Sequence, residues 1–254
     1  MPKIRNGGVS LFYEVHGQGP TILLSHGYSA TSKMWDGQIE ALSKTHKVVV
    51  WDMRGHGQSD YPDDPAEYSE AATVSDMARI LDEVGAQKAV IGGLSLGGYM
   101  SLAFHRAHPE RVTALLIIDT GPGYRSDEAR EGWNQTSLKT AERYEREGLG
   151  RQAQASTEVR IAQHRNAEGL AKAARGMLTQ RDAAVINSLP TIAVPSIVVV
   201  GENDKPFLNA ADYMAAKIPG ARKVVIPNAG HAANIDQPEA FNSALQGFLA
   251  RLDG

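Results

Sequence analysis

Ala89-Val90-Ile91-Gly92-Gly93-Leu94-Ser95-Leu96-Gly97-Gly98-Tyr99-Met100 is the stretch on which the reading of this chain turns. An apolar, β-branched run enters it, and Gly98-Tyr99-Met100-Ser101-Leu102-Ala103, a helix-compatible segment, leaves it. Between them a serine has glycine two positions before and two positions after, the G-x-S-x-G pattern of a sharp strand-to-helix turn. The glycines have a steric reason. In so tight and strained a turn, neighbouring side chains would collide if they carried a Cβ. The turn holds the Ser95 hydroxyl in the open and aims the Leu96 backbone N–H, at the helix start, toward whatever the serine attacks.

Outward from this turn the chain alternates strand and helix patterns. Residues 21–25, 47–51, 88–92, 112–118, 196–200 and 222–226 read as continuous apolar runs. Such runs mark strands buried on both faces of a parallel sheet. Residues 3–5 and 9–15 flank Asn6-Gly7-Gly8 and predict a hairpin, with Leu11, Tyr13 and Val15 on one face. Val74, Met77, Ala78 and Leu81 predict a helix over residues 69–84. Pro238 opens another, in which Phe241, Leu245, Phe248 and Leu249 share a face. The alternation predicts an α/β fold: a doubly wound, mostly parallel sheet with an N-terminal antiparallel hairpin.

One interval breaks the pattern. Residues 124–189 show no strand, and their 11 Lys/Arg and 9 Asp/Glu make them mixed rather than basic. A helical insert late in a parallel sheet is expected to cap the carboxyl ends of the strands, where open α/β sheets bind ligands. The expected division is a core of residues 1–122 and 191–254 with a cap of residues 123–190, in one compact unit.

Composition narrows the function classes. A chain of 254 residues suits one large α/β domain. A net charge of −3 without a basic cluster argues against nucleic acid and anionic membranes as partners. The absence of cysteine excludes disulfides, thiolate nucleophiles and Cys-ligated zinc or iron–sulfur sites. Residues 1–7 lack the apolar stretch of a signal peptide. The uncharged run at residues 89–104 is shorter than the ~18–20 apolar residues of a membrane helix. A cytoplasmic location is expected. Gly92-Gly93 and Gly97-Gly98 suggest a phosphate-binding turn, but no Lys follows at the P-loop position and no G-x-G-x-x-G fits the first strand, so no nucleotide is expected. His105 and His108, at i,i+3 without a clear carboxylate partner, read as surface residues at a helix end, and no metal site is expected.

A serine needs a base within hydrogen-bond reach, and the base needs an orienting group. Downstream of Ser95, Gly201-Glu202-Asn203-Asp204-Lys205-Pro206 follows one apolar strand and Gly230-His231-Ala232 follows another. Their chain order, Ser then Asp then His, is the one that accompanies this elbow. His231 is the candidate base and Asp204 the candidate orienter. Asp119, after the strand at residues 112–118, is a rival to Asp204, and Glu202 a weaker one. For the oxyanion, the Leu96 N–H supplies one donor, and the Ser25-His26-Gly27-Tyr28-Ser29 loop offers the Tyr28 N–H as the second. His26 reads as a structural histidine bonding that loop. Tyr28, Leu96, Tyr124 and Trp133 are candidate pocket walls, whereas Trp35 reads as core packing.

Ser25-His26-Gly27, Asp52-Met53-Arg54-Gly55-His56-Gly57-Gln58-Ser59, Gly93-Leu94-Ser95-Leu96-Gly97-Gly98, Gly201-Glu202-Asn203-Asp204 and Asn228-Ala229-Gly230-His231 together resemble the α/β-hydrolase fold superfamily, in the group of small esterases, enol-lactonases, non-haem haloperoxidases and carbon–carbon bond hydrolases. The matching segments span nearly the whole chain. The resemblance implies that residues 52–59 form a structural loop, with Arg54 and His56 as architecture. It also implies hydrolysis of a small carboxylic ester or lactone through Ser95, His231 and Asp204 without a cofactor. Carbon–carbon bond hydrolysis of a ring-cleavage product is the alternative within the group, and a ligand receptor on a hydrolase scaffold is the alternative outside it. Serine at the elbow argues against the relatives that carry Asp there.

Overall fold

A computed structural model describes residues 2–252. Its centre is an eight-stranded sheet of β1 (Lys3–Asn6), β2 (Val9–His16), β3 (Thr21–Ser25), β4 (Lys47–Trp51), β5 (Ala89–Leu94), β6 (Val112–Ile118), β7 (Ser196–Gly201) and β8 (Arg222–Ile226). The strand order is β1-β2-β4-β3-β5-β6-β7-β8. β1 pairs with β2, and β2 with β4, antiparallel; every later pairing is parallel. Gly7 and Gly8, at φ 57° and 88°, make the two-residue turn that joins β1 to β2. Both positions need positive φ in the hairpin turn that matches strand twist.

The continuous apolar runs have a direct cause. Alternate side chains of a strand leave opposite faces, and both faces of this sheet are covered. Leu23, Val49, Ile91, Leu115 and Val198 enter one core, against α2 (Glu70–Glu83), α3 (Leu96–Ala107) and α8 (Lys205–Lys217) through Leu81, Met100 and Met214. Ile22, Leu24, Val48, Val50, Val90, Leu116 and Val199 enter the other, against α1 (Asp36–Leu42) and α10 (Pro238–Leu249) through Leu42, Phe241 and Leu245. Trp35 is fully buried in this second core.

Three expectations need correction. β8 is not buried on both faces: it is the sheet edge, and Arg222, Lys223 and Val225 are exposed. Val15 does not share the burial of Leu11 and Tyr13, because it lies near the end of β2. His105 is not a surface residue. It is 5% exposed, in a helix packed against β5, β6 and neighbouring helices, and burial lowers its pKa. His108 is half-exposed and approaches Glu110 at 3.8 Å.

Between β6 and β7 lie only helices among the described residues: α4 (Asp127–Glu147), α5 (Thr157–Arg160), α6 (Ala167–Ala173) and α7 (Ala184–Ser188), with shorter turns of helix between them. Ser126 and Asn166 cap α4 and α6, their side-chain oxygens accepting from Ala129 N–H and Gly169 N–H. The insert has a small core of its own, made by Ala141, Tyr144, Leu170, Ala171 and Ala174. α9 (Ala233–Asp236) completes the helices. No helix among the described residues is long and apolar enough to cross a membrane.

Candidate active site

Ser95 sits between the end of β5 and the start of α3 at φ 55°, ψ −116°, a conformation that non-glycine residues seldom adopt. Glycines make it possible. A Cβ on Gly93 would lie 2.4 Å from the Gly97 carbonyl carbon, and one on Gly97 would lie 2.2 Å from the Ser25 carbonyl oxygen. The turn is fixed from below: Ser95 N–H donates to Ile118 O at 2.9 Å, and Thr120 Oγ1–H donates to Ser95 O at 2.6 Å. Leu96 opens α3, where first-turn amides have no partner within the helix and the helix end is partly positive. The β3 loop abuts this elbow, since a Cβ on Gly27 would lie 3.5 Å from Ser95 Cβ. Tyr28 follows, its hydroxyl donating to Leu170 O of the insert at 2.8 Å.

Asp204 follows β7 and His231 follows β8. Their loops pack backbone against backbone: a Cβ on Gly201 would meet Gly230 O at 2.1 Å, and Asn203 N–H donates to Ala229 O at 2.8 Å. His231 Nδ1–H thereby donates to Asp204 Oδ2 at 2.8 Å. The two rivals for this contact are engaged elsewhere. Glu202 Oε2 accepts from Asn228 N–H, and Asp119 Oδ1 accepts from Gly201 N–H at 2.7 Å. Asp119 is buried, and burial pushes its carboxyl well above the usual carboxylate range. Burial pulls the His231 pKa down, but the hydrogen bond and charge of Asp204, with the charges of Asp119 and Glu158, carry it above its ordinary value. The Phe207 ring stacks on the imidazole, centroids 5.1 Å apart at 26°. Ser95 Oγ is not hydrogen-bonded to His231 in this structure; such bonds are often long without substrate and tighten in the complex.

Ser95 and Leu96 open onto a cavity of about 110 Å³ whose walls include Tyr99, Tyr124, Trp133 and Phe207. Trp133 is anchored by Nε1–H donating to Leu178 O at 2.7 Å. None of the lining residues is Lys, Arg, Asp or Glu. Of the walls expected from the sequence, Leu96, Tyr124 and Trp133 line this cavity and Tyr28 does not; Tyr99, Met177 and Phe207 were missed. Phe207 was within reach, because it lies one turn after Asp204 at the start of α8. Among the described residues no group of three His, Asp or Glu side chains is arranged to hold a metal ion.

The remaining histidines near the site bond backbone. His26 Nδ1–H donates to Gly27 O and Nε2 accepts from Met53 N–H. His56 Nδ1–H donates to Arg54 O and Nε2 accepts from Ser29 N–H. His164, from the insert, donates from Nε2 to Ser29 O and accepts at Nδ1 from Gly57 N–H. Each of these arrangements requires a neutral ring. Burial lowers the pKa of all three, that of His164 to about 4. In the same loop Asp52 accepts from Ser32 and Gln58 N–H, and Arg54 pairs with Asp76.

The chain has counterparts among known proteins. The chain is 30% identical over 266 residues to a putative carbamate hydrolase, RutD, of Azorhizobium caulinodans, covering 100% of both chains. It is 28% identical to 3-oxoadipate enol-lactonase 1 of Acinetobacter baylyi, over 95% of this chain and 94% of that one. Its structure superposes on a thermophilic esterase from Thermogutta terrifontis with a TM-score of 0.84 and 29% identity, covering 99% of each chain. The sequence pattern described as alpha/beta hydrolase fold matches residues 20–153, from β3 through the elbow and into the insert. With that match over more than half its length, the chain belongs to the α/β-hydrolase fold family.

Proposed function

We propose that this protein is a serine hydrolase that cleaves a small, neutral carboxylic ester or lactone, with residues 123–190 forming a cap over the site. The observation that carries this reading is the 2.8 Å hydrogen bond from His231 Nδ1 to Asp204 Oδ2 beside the strained Ser95 elbow. Asp204 fixes the tautomer, so that Nε2 of His231 is the basic nitrogen. His231 takes the Ser95 proton as Oγ attacks the carbonyl carbon, and the backbone N–H groups of Leu96 and Tyr28 receive the oxyanion. Each such donor contributes about 3 kcal/mol to transition-state stabilisation. His231 then protonates the departing alcohol, and water, activated by the same imidazole, hydrolyses the acyl-enzyme. Every step uses groups of the chain and water.

The cavity supports an ester over a carbon–carbon substrate. A ring-cleavage product carries a dienoate that needs polarising or charged partners, and this lining offers no cation. The apolar walls fit a small uncharged acyl group.

The test is turnover and labelling together. The wild-type protein is expected to hydrolyse p-nitrophenyl acetate and butyrate with rapid multiple turnover and to react with a fluorophosphonate probe. Ser95→Ala is expected to lose both, with kcat falling by about 10⁶-fold. Full activity in that variant overturns the assignment of Ser95. A single slow turnover accompanied by a thermal shift favours the receptor reading instead.

A further inference from the structure

Gln180, between α6 and α7 of the insert, is a polar exception in the apolar wall and lines the same cavity as Ser95. Its backbone is clamped to α4. Gln180 N–H donates to Asn134 Oδ1 at 2.8 Å, and Asn134 Nδ2–H donates to Gln180 O at 3.0 Å. Its side chain is held as well, because Oε1 accepts from Tyr124 N–H at 3.2 Å. Gly123 permits that approach: a Cβ there would lie 2.9 Å from Oε1. A backbone N–H can only donate, so the amide oxygen faces Tyr124 and the amide nitrogen takes the other position. Among the described residues that Nε2–H₂ donates to no protein group, and it keeps accessible surface rather than being sealed in the core.

The other side-chain donors of the buried wall are spent on the protein. Tyr99 O–H donates to Glu70 Oε2 at 2.8 Å, Thr120 Oγ1–H to Ser95 O at 2.6 Å and Trp133 Nε1–H to Leu178 O at 2.7 Å. Tyr124 is 40% exposed, so water can serve its hydroxyl. Gln180 is only 9% exposed. A donor held rigidly at both ends of its residue loses little freedom when it binds, and an acyl chain that leaves it unpaired forfeits a hydrogen bond to water. The chemistry of its partner follows from the rest of the wall. With no Lys or Arg in the lining, a carboxylate would leave water without a cation to receive it. A neutral oxygen has no such cost.

We propose, resting on the serine-hydrolase reading with the acyl group in this cavity, that Gln180 determines acyl specificity. Its Nε2–H₂ donates to a neutral oxygen on the acyl chain, a ketone or ether oxygen beyond the carbonyl that Ser95 attacks. The preferred substrates are then esters or lactones of short oxygen-bearing acids rather than of plain fatty acids.

The experiment measures kcat/KM for two pairs of ethyl esters, 4-oxopentanoate against pentanoate and 5-oxohexanoate against hexanoate. Each ratio is divided by the same ratio for alkaline hydrolysis, which removes intrinsic reactivity. The wild type is expected to favour the oxo ester of at least one pair by about tenfold, the worth of one hydrogen bond that the plain chain leaves unmade. In Gln180→Leu and in Gln180→Met, which nearly keeps the volume, that ratio falls to one or below. If Gln180 only braces Tyr124, both members of a pair slow together and the ratio is unchanged. That outcome overturns the inference, as does a wild type without oxo preference, a reading that stands even if neither variant folds. Loss of the preference in Tyr124→Phe but not in Gln180→Leu also overturns it, by moving the donor to Tyr124. In each of these cases Ser95 labelling and turnover of the plain esters still support the serine-hydrolase reading; absence of both labelling and turnover overturns the two together.

Discussion

The loops that carry Ser95, Asp204 and His231 and the helical insert of residues 123–190 are held by different mixtures of contact. At the loops, backbone meets backbone. Gly97 lies against Ser25 and His26, and Gly201 against Ala229 and Gly230, at separations that leave no room for a Cβ. The insert meets the core largely through side chains, Tyr28 to Leu170, His164 to Ser29 and Gly57, and Arg165 to Ser59, and through backbone at two glycines, where a Cβ on Gly176 would lie 1.9 Å from Tyr68 O and one on Gly55 2.7 Å from Gly169 O. Reacting groups must be held to a fraction of an ångström, and close-packed backbone does that. A pocket wall must only exclude water and match a shape, and there side-chain tethers carry a larger share. Substitutions in the first region should therefore remove chemistry or fold, and those in the second should grade stability and selectivity.

After Ser95 itself, the largest effect is expected at Asp204. Asp204→Asn keeps the volume but reverses the hydrogen-bonding preference at His231 Nδ1, so the tautomer is wrong and kcat falls by about 10⁴-fold with the fold intact. Asp119→Asn is expected to be mild, because its oxygen still accepts Gly201 N–H and Asn tolerates the positive φ of 42° at that position. The reverse result would make Asp119 the orienting acid. The pH profile gives a second readout. The proposed mechanism needs neutral His231, whose pKa is raised chiefly by Asp204 against the opposing effect of burial, so kcat/KM of the wild type is expected to rise with pH through an inflection above 6.5. In Asp204→Asn the residual activity should show this inflection at lower pH.

Gly97→Ala tests the backbone contact itself. Ala is favoured over Gly inside a helix by about 1 kcal/mol. Here the added methyl would lie 2.2 Å from Ser25 O and 2.7 Å from His26 O, so β3 and α3 must separate. Overpacking of this kind costs about 3 kcal/mol or more and outweighs the propensity gain. The melting temperature should fall by about 6–12 °C, with loss of activity in the protein that remains folded, because the Tyr28 loop moves with β3. An unchanged melting temperature would contradict the close approach.

His164→Phe probes the tether on the other side of the comparison. The His164 pKa is lowered from 6.5 to about 4 by burial, against the opposing effect of its hydrogen bond to Ser29 O. Between these values the unfolded chain binds a proton that the folded protein does not. The contribution is complete above pH 6.5 and is lost as pH falls through 6.5 toward 4, by about 3 kcal/mol in all. His164→Phe removes two hydrogen bonds and is expected to cost about 1–3 kcal/mol at pH 7.5. Denaturant melts at pH 7.5 and 4.5 should show a shallower acid loss in the variant than in the wild type; parallel losses would mean that His164 does not titrate as described.

The same division governs what the sequence discloses. A glycine needed for backbone contact is visible as a letter at a fixed spacing, so Gly93, Ser95, Gly97, Asp204 and Gly230-His231 stand out in the sequence alone. The continuous apolar strands are legible for the same local reason, except β8, whose edge position depends on strand order rather than on its own residues. Side-chain tethers leave no such mark. His164 contacts Ser29 across 135 positions, and His105 is buried by the packing of other elements around α3. Gln180 looks like any polar residue of a charged helical stretch until its place in the cavity wall and its fixed amide are known.

The smallest effect is expected where one tether also shapes the pocket. Trp133 Nε1–H donates to Leu178 O, and both residues line the apolar cavity. Trp133→Phe keeps an aromatic wall but leaves that carbonyl unpaired, at a cost of about 1 kcal/mol or a few degrees in melting temperature. The freed space should relax acyl selectivity rather than slow the reaction, because Ser95, His231 and Asp204 hang from other elements. The ratio of kcat/KM for p-nitrophenyl hexanoate over acetate should rise a few-fold while the acetate value stays within about twofold of wild type. If both esters lost activity together by orders of magnitude, Trp133 would belong with the rigid backbone region, and the contrast between fixed chemistry and adjustable wall would fail at the residue meant to mark its boundary.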